Sequence, residues 1–175
     1  MPKMYSFLEN NAPWSQLVNL KNVQLNALQN NKYVEPLKNL KITPILVPHR
    51  DEFSETVGYK IKGPNKTILF IPDIDKWTLW EENLITLLKE VDVAFIDATF
   101  FSQEEVNYRP LSEIPHPLVV ETIAYLKNED ISLKNKVYFI HMNHTNPMLD
   151  ENSKVSKLIF NEGFNIARLG YQFEL

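Results

Sequence analysis

The sequence predicts an α/β fold, a sheet layer backed by helices, with hairpin strands first and strand–helix alternation after them. Three observations predict it. Thr56–Ile61 and Thr67–Ile71 are strand-like runs joined by Gly63-Pro64-Asn65-Lys66, the pattern of a hairpin. Val93–Ile96 and Val137–Ile140 are continuous apolar runs, as expected of strands buried on both faces. Around them apolar residues recur at helical spacing: Trp80, Leu84, Leu87, Leu88 and Val91, then Val155, Leu158 and Ile159. Hairpin strands followed by alternating strand and helix indicate an α/β sandwich layer.

Taken in order, Met4–Asn10 reads as a short helix before Pro13 and Trp14. Val23, Leu25 and Ala27 alternate within Asn22–Leu28 and suggest a strand. Asn30-Asn31 supplies a turn, and Tyr33–Leu37 a second short strand. Ile42–Pro48 is strand-like, with Pro44 placing it at an edge or bulge. After Val93–Ile96 comes a loop of about fifteen residues, long enough in a compact domain to suggest an active-site loop. Pro117 opens a helix running to Leu126, because a first-turn proline costs the helix nothing. Asp150 or Asn152 can cap the helix of Val155, Leu158 and Ile159, and Gly163 can end it. Ile166-Ala167 and Phe173 close the chain.

The composition narrows the function classes. With 175 residues and 44% hydrophobic content, the chain can bury one ordinary core. Net charge is −4 with no basic stripe, so nucleic acid is not an expected partner. No cysteine is present, which excludes disulfides and thiolate metal sites. No apolar run approaches the roughly 20 residues that span a bilayer, and Met1-Pro2-Lys3-Met4 leads into polar sequence. A cytoplasmic protein without a membrane partner is the expectation.

All four histidines fall at predicted strand ends or in the loops just after them, where α/β proteins place ligands. Asp73 follows Leu69–Ile71, and a carboxylate there can bind or bridge metal, or cap a helix. Asp75 reads as the cap of the next helix. His141 follows Ile140, where a neutral imidazole suits zinc or iron. His144 is either a further ligand or the holder of its turn. His116 precedes a helix start, whose positive end favours a neutral ring fit for ligation or proton transfer, or simply a structural role. Arg50, beside His49, can clamp a carboxylate or phosphate, or belong to a salt-bridged turn with Asp51 and Glu52. Asp97 reads as a cap or turn residue at a strand end. Neither a phosphate-binding glycine loop nor a serine nucleophile elbow is present.

Several segments together resemble the pyrroloquinoline quinone biosynthesis protein B family. They are Val47-Pro48-His49-Arg50-Asp51-Glu52-Phe53, Glu55-Thr56-Val57-Gly58-Tyr59, Ile71-Pro72-Asp73-Ile74-Asp75-Lys76-Trp77, Ile96-Asp97-Ala98-Thr99-Phe100 and Phe139-Ile140-His141-Met142-Asn143-His144-Thr145-Asn146-Pro147. The opening, Phe7-Leu8-Glu9-Asn10 with Ala12-Pro13-Trp14-Ser15-Gln16-Leu17-Val18, is similar too. The resemblance implies the metallo-β-lactamase fold, a four-layer αββα sandwich. Residues 1–175 then form a single partial domain, its C-terminal half, with one sheet face apolar for the half that is absent. It also implies that Asp73 is the late metal-binding carboxylate and His141 the last histidine ligand. His116 resembles the proton donor of phosphodiesterase relatives. His49, Arg50 and His144 fall to the substrate side.

One departure bears on function. The family's histidine-x-histidine-x-aspartate-histidine motif has no counterpart, since no two histidines here are separated by a single residue. Its third histidine ligand has no clear match. Asp73 and His141 supply two ligands where catalytic zinc sites take three from protein. The expectation is therefore part of a metal-dependent hydrolase or oxidase, inactive alone, binding zinc or iron once the site is completed. Its work would be the biosynthesis or transport of pyrroloquinoline quinone or a precursor. The expected partners are a small-molecule substrate and a missing N-terminal half or a second copy. A metal-dependent phosphodiesterase and a non-catalytic pairing module are the alternatives.

Overall fold

Among the described residues, register sets one sheet whose strands lie side by side in chain order. The computed structural model describes residues 2–52, 54–106 and 110–175; Met1 and Phe53, both used above, lie outside them. Seven strands, β1 (Val34–Leu37), β2 (Leu40–Val47), β3 (Thr56–Lys62), β4 (Thr67–Ile71), β5 (Val93–Asp97), β6 (Val137–Ile140) and β7 (Asn165–Ile166), form the sheet β1-β2-β3-β4-β5-β6-β7. Pairing is antiparallel from β1 to β4 and parallel from β4 to β7. The change at β4 has a topological cause. Short turns join antiparallel neighbours, whereas parallel neighbours need crossovers. These crossovers carry α3 (Leu84–Lys89), α4 (Val119–Tyr125) with α5 (Ile131–Lys134), and α6 (Lys154–Asn161).

One sheet face holds the core. Ile45, Val47, Leu69, Ile71, Ala94, Ile96, Val137, Phe139 and Ile166 point to it and pack with Leu84, Leu87 and Leu88 of α3, Val119 of α4 and Ile159 of α6. Gly58 lies on that face of β3. A Cβ there would stand 2.8 Å from Ile71 Cγ1 and 3.0 Å from the Phe70 carbonyl oxygen, so no larger residue fits.

The opposite face is apolar as well. Pro44, Tyr59, Phe70, Phe95 and Tyr138 are successive register partners across β2 to β6. Leu46, Val57, Ile61, Ile68, Val93 and Ile140 share their side by the alternation of strands. No helix of the core cluster covers it. The C-terminal segment lies there instead, with the Phe173 ring edge-on to Phe95 (5.2 Å between centroids) and to Tyr138 (5.1 Å). Phe70 (36%) and Leu46 (44%) remain open to solvent.

Several sequence expectations shift. Asn22–Leu28 forms no strand; its alternation has no partner strand to pair with, and two helices, α1 (Pro2–Asn10) and α2 (Trp14–Asn19), precede it. The helix around Trp80–Val91 contracts to α3, preceded by a 3₁₀ turn at Trp77–Leu79. Asn83, not Asp75, caps it by accepting from the Thr86 N–H (3.0 Å). The helix after Pro117 starts at Val119, with the Glu121 carboxylate accepting from the Leu118 N–H (2.8 Å). Ser153, not Asp150 or Asn152, caps α6 through the Ser156 N–H (2.9 Å). Gly163 ends that helix as expected, with φ of 87°. Among the described residues no helix is long and apolar enough to cross a membrane.

Candidate metal centre

Four loops meet at the C-terminal ends of β4, β5 and β6 and the adjoining end of β2, and each brings one or two polar residues. Backbone bonds tie them together. Asp75 N–H donates to the Pro48 carbonyl (2.7 Å), and Ile74 N–H to Asp97 Oδ2 (3.2 Å). Lys76 Nζ donates to the His116 carbonyl (2.9 Å) and pairs with Glu121 of α4 (2.7 Å). Trp77 Nε1 donates to Thr122 Oγ1 inside the core (2.9 Å). The loop after β4 is thus fastened to β2, β5 and α4 at once, and Asp73 sits within it.

The β5 and β6 ends are joined by the asparagine of the His-Met-Asn-His-Thr-Asn-Pro run. Asn146 is 2% exposed. Its amide donates to the Ala98 carbonyl (2.7 Å) and its oxygen accepts from the Met148 N–H (2.9 Å). His141 ends β6 with φ of 63°, a left-handed conformation that a non-glycine residue takes up only when its surroundings enforce it.

The result is a compact cluster. Asp73, Asp97, His116 and His141 each offer one ligand atom, all within 4.8 Å of one another. His116 Nδ1 lies 2.8 Å from Asp97 Oδ2 and 3.4 Å from Asp73 Oδ1. His141 Nδ1 lies 3.8 Å from Asp97 Oδ1. His49 adjoins the group, with Nε2 3.2 Å from Asp73 Oδ1 and Nδ1 3.1 Å from the Pro115 carbonyl. Only a ring N–H can satisfy that carbonyl, so Nδ1 of His49 is protonated and Nε2 turns toward the carboxylate.

Electrostatics follow from the packing. Burial pushes the Asp97 carboxyl up, but the hydrogen bond with His116, the nearby His141 ring and the Thr99 bond outweigh it and hold the group below its ordinary value. His141 is held above its ordinary value by the adjacent Asp97; partial burial opposes this, and the charges of Asp97 and Asp73 add to it. Asp73 Oδ1 is buried and accepts no hydrogen bond of good geometry, although two imidazole nitrogens stand within 3.4 Å. A buried acceptor without a donor of good geometry is one that a bound cation would satisfy. The donor set of carboxylate and imidazole suits zinc or another borderline divalent ion.

Of the residues singled out from sequence, Asp73, His116 and His141 come together, and His49 joins them. Arg50, at φ of 40°, is exposed on the neighbouring cleft of about 680 Å³, which Asp51, Glu52, Asp75 and Glu113 also line. His144 is exposed, hydrogen bonds to adjacent Asn143 (3.2 Å), and stands outside the group of four. Sequence reasoning ranked Asp97 as a turn residue and passed over Thr99 and Asn146. Asp97 does hold its turn, accepting from Thr99 N–H (2.8 Å), but it also faces both histidines.

Comparison with known proteins bears on the family and the fold. A profile described as the β-lactamase superfamily domain matches residues 2–142. The chain is 24% identical over 154 residues to coenzyme PQQ synthesis protein B of Nitrosococcus oceani, covering 77% of this chain and 48% of that one. It is 28% identical over 126 residues to the protein of the same name from Gluconobacter oxydans, covering 69% and 40%. The chain spans about half the length of the curated relatives it matches. Among solved structures, Zn²⁺-bound PqqB from Methylobacterium extorquens superposes with a TM-score of 0.74 at 22% identity, over 100% of this chain and 63% of that one. A diphosphatase from the PhnP family superposes with a TM-score of 0.53 at 20% identity, over 93% and 55%. The mixed sheet backed by helices is the metallo-β-lactamase fold expected from the sequence.

Proposed function

The chain belongs to the β-lactamase superfamily, and from that premise we propose that it is the part of a PQQ synthesis protein B-like metalloprotein that carries the late metal ligands. Zinc is the ion favoured, by the donor set and by the name of the Zn²⁺-bound relative. Asp73 would hold it together with His141 and His49, the last in place of the substrate-side role read from sequence. Such an ion supplies Lewis acidity and lowers the pKa of bound water.

The observation that carries the reading is Asp73 Oδ1, buried, without a hydrogen bond, and 3.2 Å from Nε2 of His49. A cation shared by that oxygen and the ring nitrogen would satisfy the acceptor. His116, braced by Lys76 through its carbonyl and by Asp97 through Nδ1, is positioned to hold or pass a proton at Nε2. The adjoining cleft sets one cation, Arg50, among four carboxylates. That lining favours a small molecule bearing both a carboxylate and an amino group over a polyphosphate or nucleic acid. The name of the relatives points to a precursor of pyrroloquinoline quinone as such a substrate, and the acidic lining disfavours a phosphodiester.

The test is metal content by elemental analysis, with zinc titration followed by thermal unfolding. About one zinc per chain, lost in Asp73→Asn, supports the reading. A native chain that takes up no zinc at any concentration short of precipitation, and whose unfolding zinc leaves unmoved, overturns it for this chain.

A further inference from the structure

One hydroxyl is shared by the buried carboxylate and two of the rings. Thr99 Oγ1 lies 2.7 Å from Asp97 Oδ1, 3.1 Å from His141 Nδ1 and 3.2 Å from His116 Nδ1. A hydroxyl has one proton and two lone pairs, so at most one of these contacts is a donation. Asp97 decides which. It is fully buried, and backbone N–H groups, which can only donate, occupy both its oxygens: Thr99 N on Oδ1 (2.8 Å) and Ile74 N on Oδ2 (3.2 Å). A carboxylate ringed by such donors has no proton to return. The Thr99 hydroxyl therefore donates to Oδ1, its shortest contact, and its lone pairs face the imidazoles.

Lone pairs on Oγ1 are met only by ring N–H groups. Nδ1 of His116 has a second acceptor of the same polarity, Asp97 Oδ2 at 2.8 Å. Nδ1 of His141 has the Thr99 oxygen. We infer that Thr99 is a positioning residue: by donating to Asp97 it fixes His116 and His141 as Nδ1–H tautomers and leaves Nε2 of each ring with the free electron pair. Asp97 is then the orienting carboxylate of the centre and not one of its ligands, since two donors already meet each of its oxygens. Free imidazole favours the opposite tautomer, so the assignment makes a definite claim. Carboxylate or carbonyl partners that orient ligating histidines this way change metal affinity by roughly 10- to 100-fold when removed. Only that second effect rests on the metal reading above.

The primary experiment needs no metal. The chain, ¹⁵N-labelled at histidine and held at pH 8, is examined by long-range ¹H–¹⁵N correlation. The expected result is a protonated Nδ1 and an unprotonated Nε2 for both His116 and His141. Thr99→Val keeps the shape without the hydroxyl and should move His141 toward the Nε2–H form, while Thr99→Ser restores the native pattern. In competition with a chromophoric chelator, Thr99→Val should bind zinc about tenfold more weakly, and Thr99→Ser should recover. An Nε2–H pattern for His141 in the native chain overturns the inference even if Thr99→Val fails to fold. So does an unchanged Nδ1–H pattern in a folded Thr99→Val. A native chain with Nδ1–H rings that takes up no zinc sinks the metal reading and leaves the tautomer assignment standing.

Discussion

Nε2 of His49 stands 3.2 Å from Oδ1 of Asp73, although 24 positions separate the two in sequence and neither makes a regular hydrogen bond with the other. In the absence of a cation this contact is a cost, because it buries an acceptor without a donor.

The first prediction concerns that contact. Asp73→Asn lets the side-chain amide donate to His49 and should leave the metal-free chain as stable as the native one, or slightly more so. The same change should abolish stabilisation by zinc. A ligand at 100 times its dissociation constant raises unfolding free energy by about 2.7 kcal/mol. Thermal unfolding of both proteins, with and without zinc, should show that increment in the native chain alone. An equal zinc shift in Asp73→Asn would remove Asp73 from the ligand set.

The second concerns pH. Asp97 is held below its ordinary value, so its contribution is present above the unfolded carboxyl pKa, about 3.9, and is lost as the pH falls through the lower folded value. His141 is held above its ordinary value. Its contribution is complete below about 6.5 and is lost as the pH rises through the higher folded value. Urea midpoints of the metal-free chain should therefore decline on both sides of a window from about pH 4 to 6.5. Asp97→Asn should flatten both flanks. A variant retaining the full alkaline decline would show that some other group causes it.

The third concerns Asn146. Replacing it with Ala leaves the Ala98 carbonyl and the Met148 N–H without their buried partner. A loss of about 2–3 kcal/mol is expected, the scale of leaving buried polar groups unsatisfied. Denaturant unfolding measures it, and a change below about 0.5 kcal/mol would put the variant within the range of ordinary surface substitutions.

The fourth concerns Gly58. Its Ala variant forces a methyl group against Ile71 Cγ1 and the Phe70 carbonyl in a sheet that cannot yield locally. Overpacking of this kind costs about 1–3 kcal/mol. Thermal unfolding should show the loss with zinc affinity unchanged, because β3 contributes no residue to the centre.

The sequence made the strands legible where both sheet faces are apolar. Leu69–Ile71, Val93–Ile96 and Val137–Ile140 read as continuous runs because their side chains are apolar on both faces of the sheet. Asn22–Leu28 misled because alternation records a face and not a partner; with no strand alongside, it stays irregular. Caps were misplaced by a few residues, as with Ser153, because Asp150 and Asn152 have the same chemistry. The centre was legible as far as strand ends disclose it, through Asp73, His116 and His141. His49 could not be joined to Asp73 from sequence, since that depends on the β2–β3–β4 register and on the Pro115 carbonyl that turns its ring. Asp97 reads as a cap or turn residue, Thr99 and Asn146 draw no reading of their own, and only burial distinguishes the three.

The aromatic row of Tyr59, Phe70, Phe95 and Tyr138 governs how this protein will behave at the bench. Sulfate and phosphate are excluded from protein surfaces and strengthen burial of exposed apolar area. With Phe70 and Leu46 open on a flat strand surface, salting-out should begin at lower sulfate than for a sheet domain with one polar face. Light scattering during a sulfate titration should rise early, and Phe70→Thr should delay it. Buffers for the zinc and tautomer measurements are best chosen from chloride salts at modest ionic strength, so that cloudiness is not mistaken for loss of a fold.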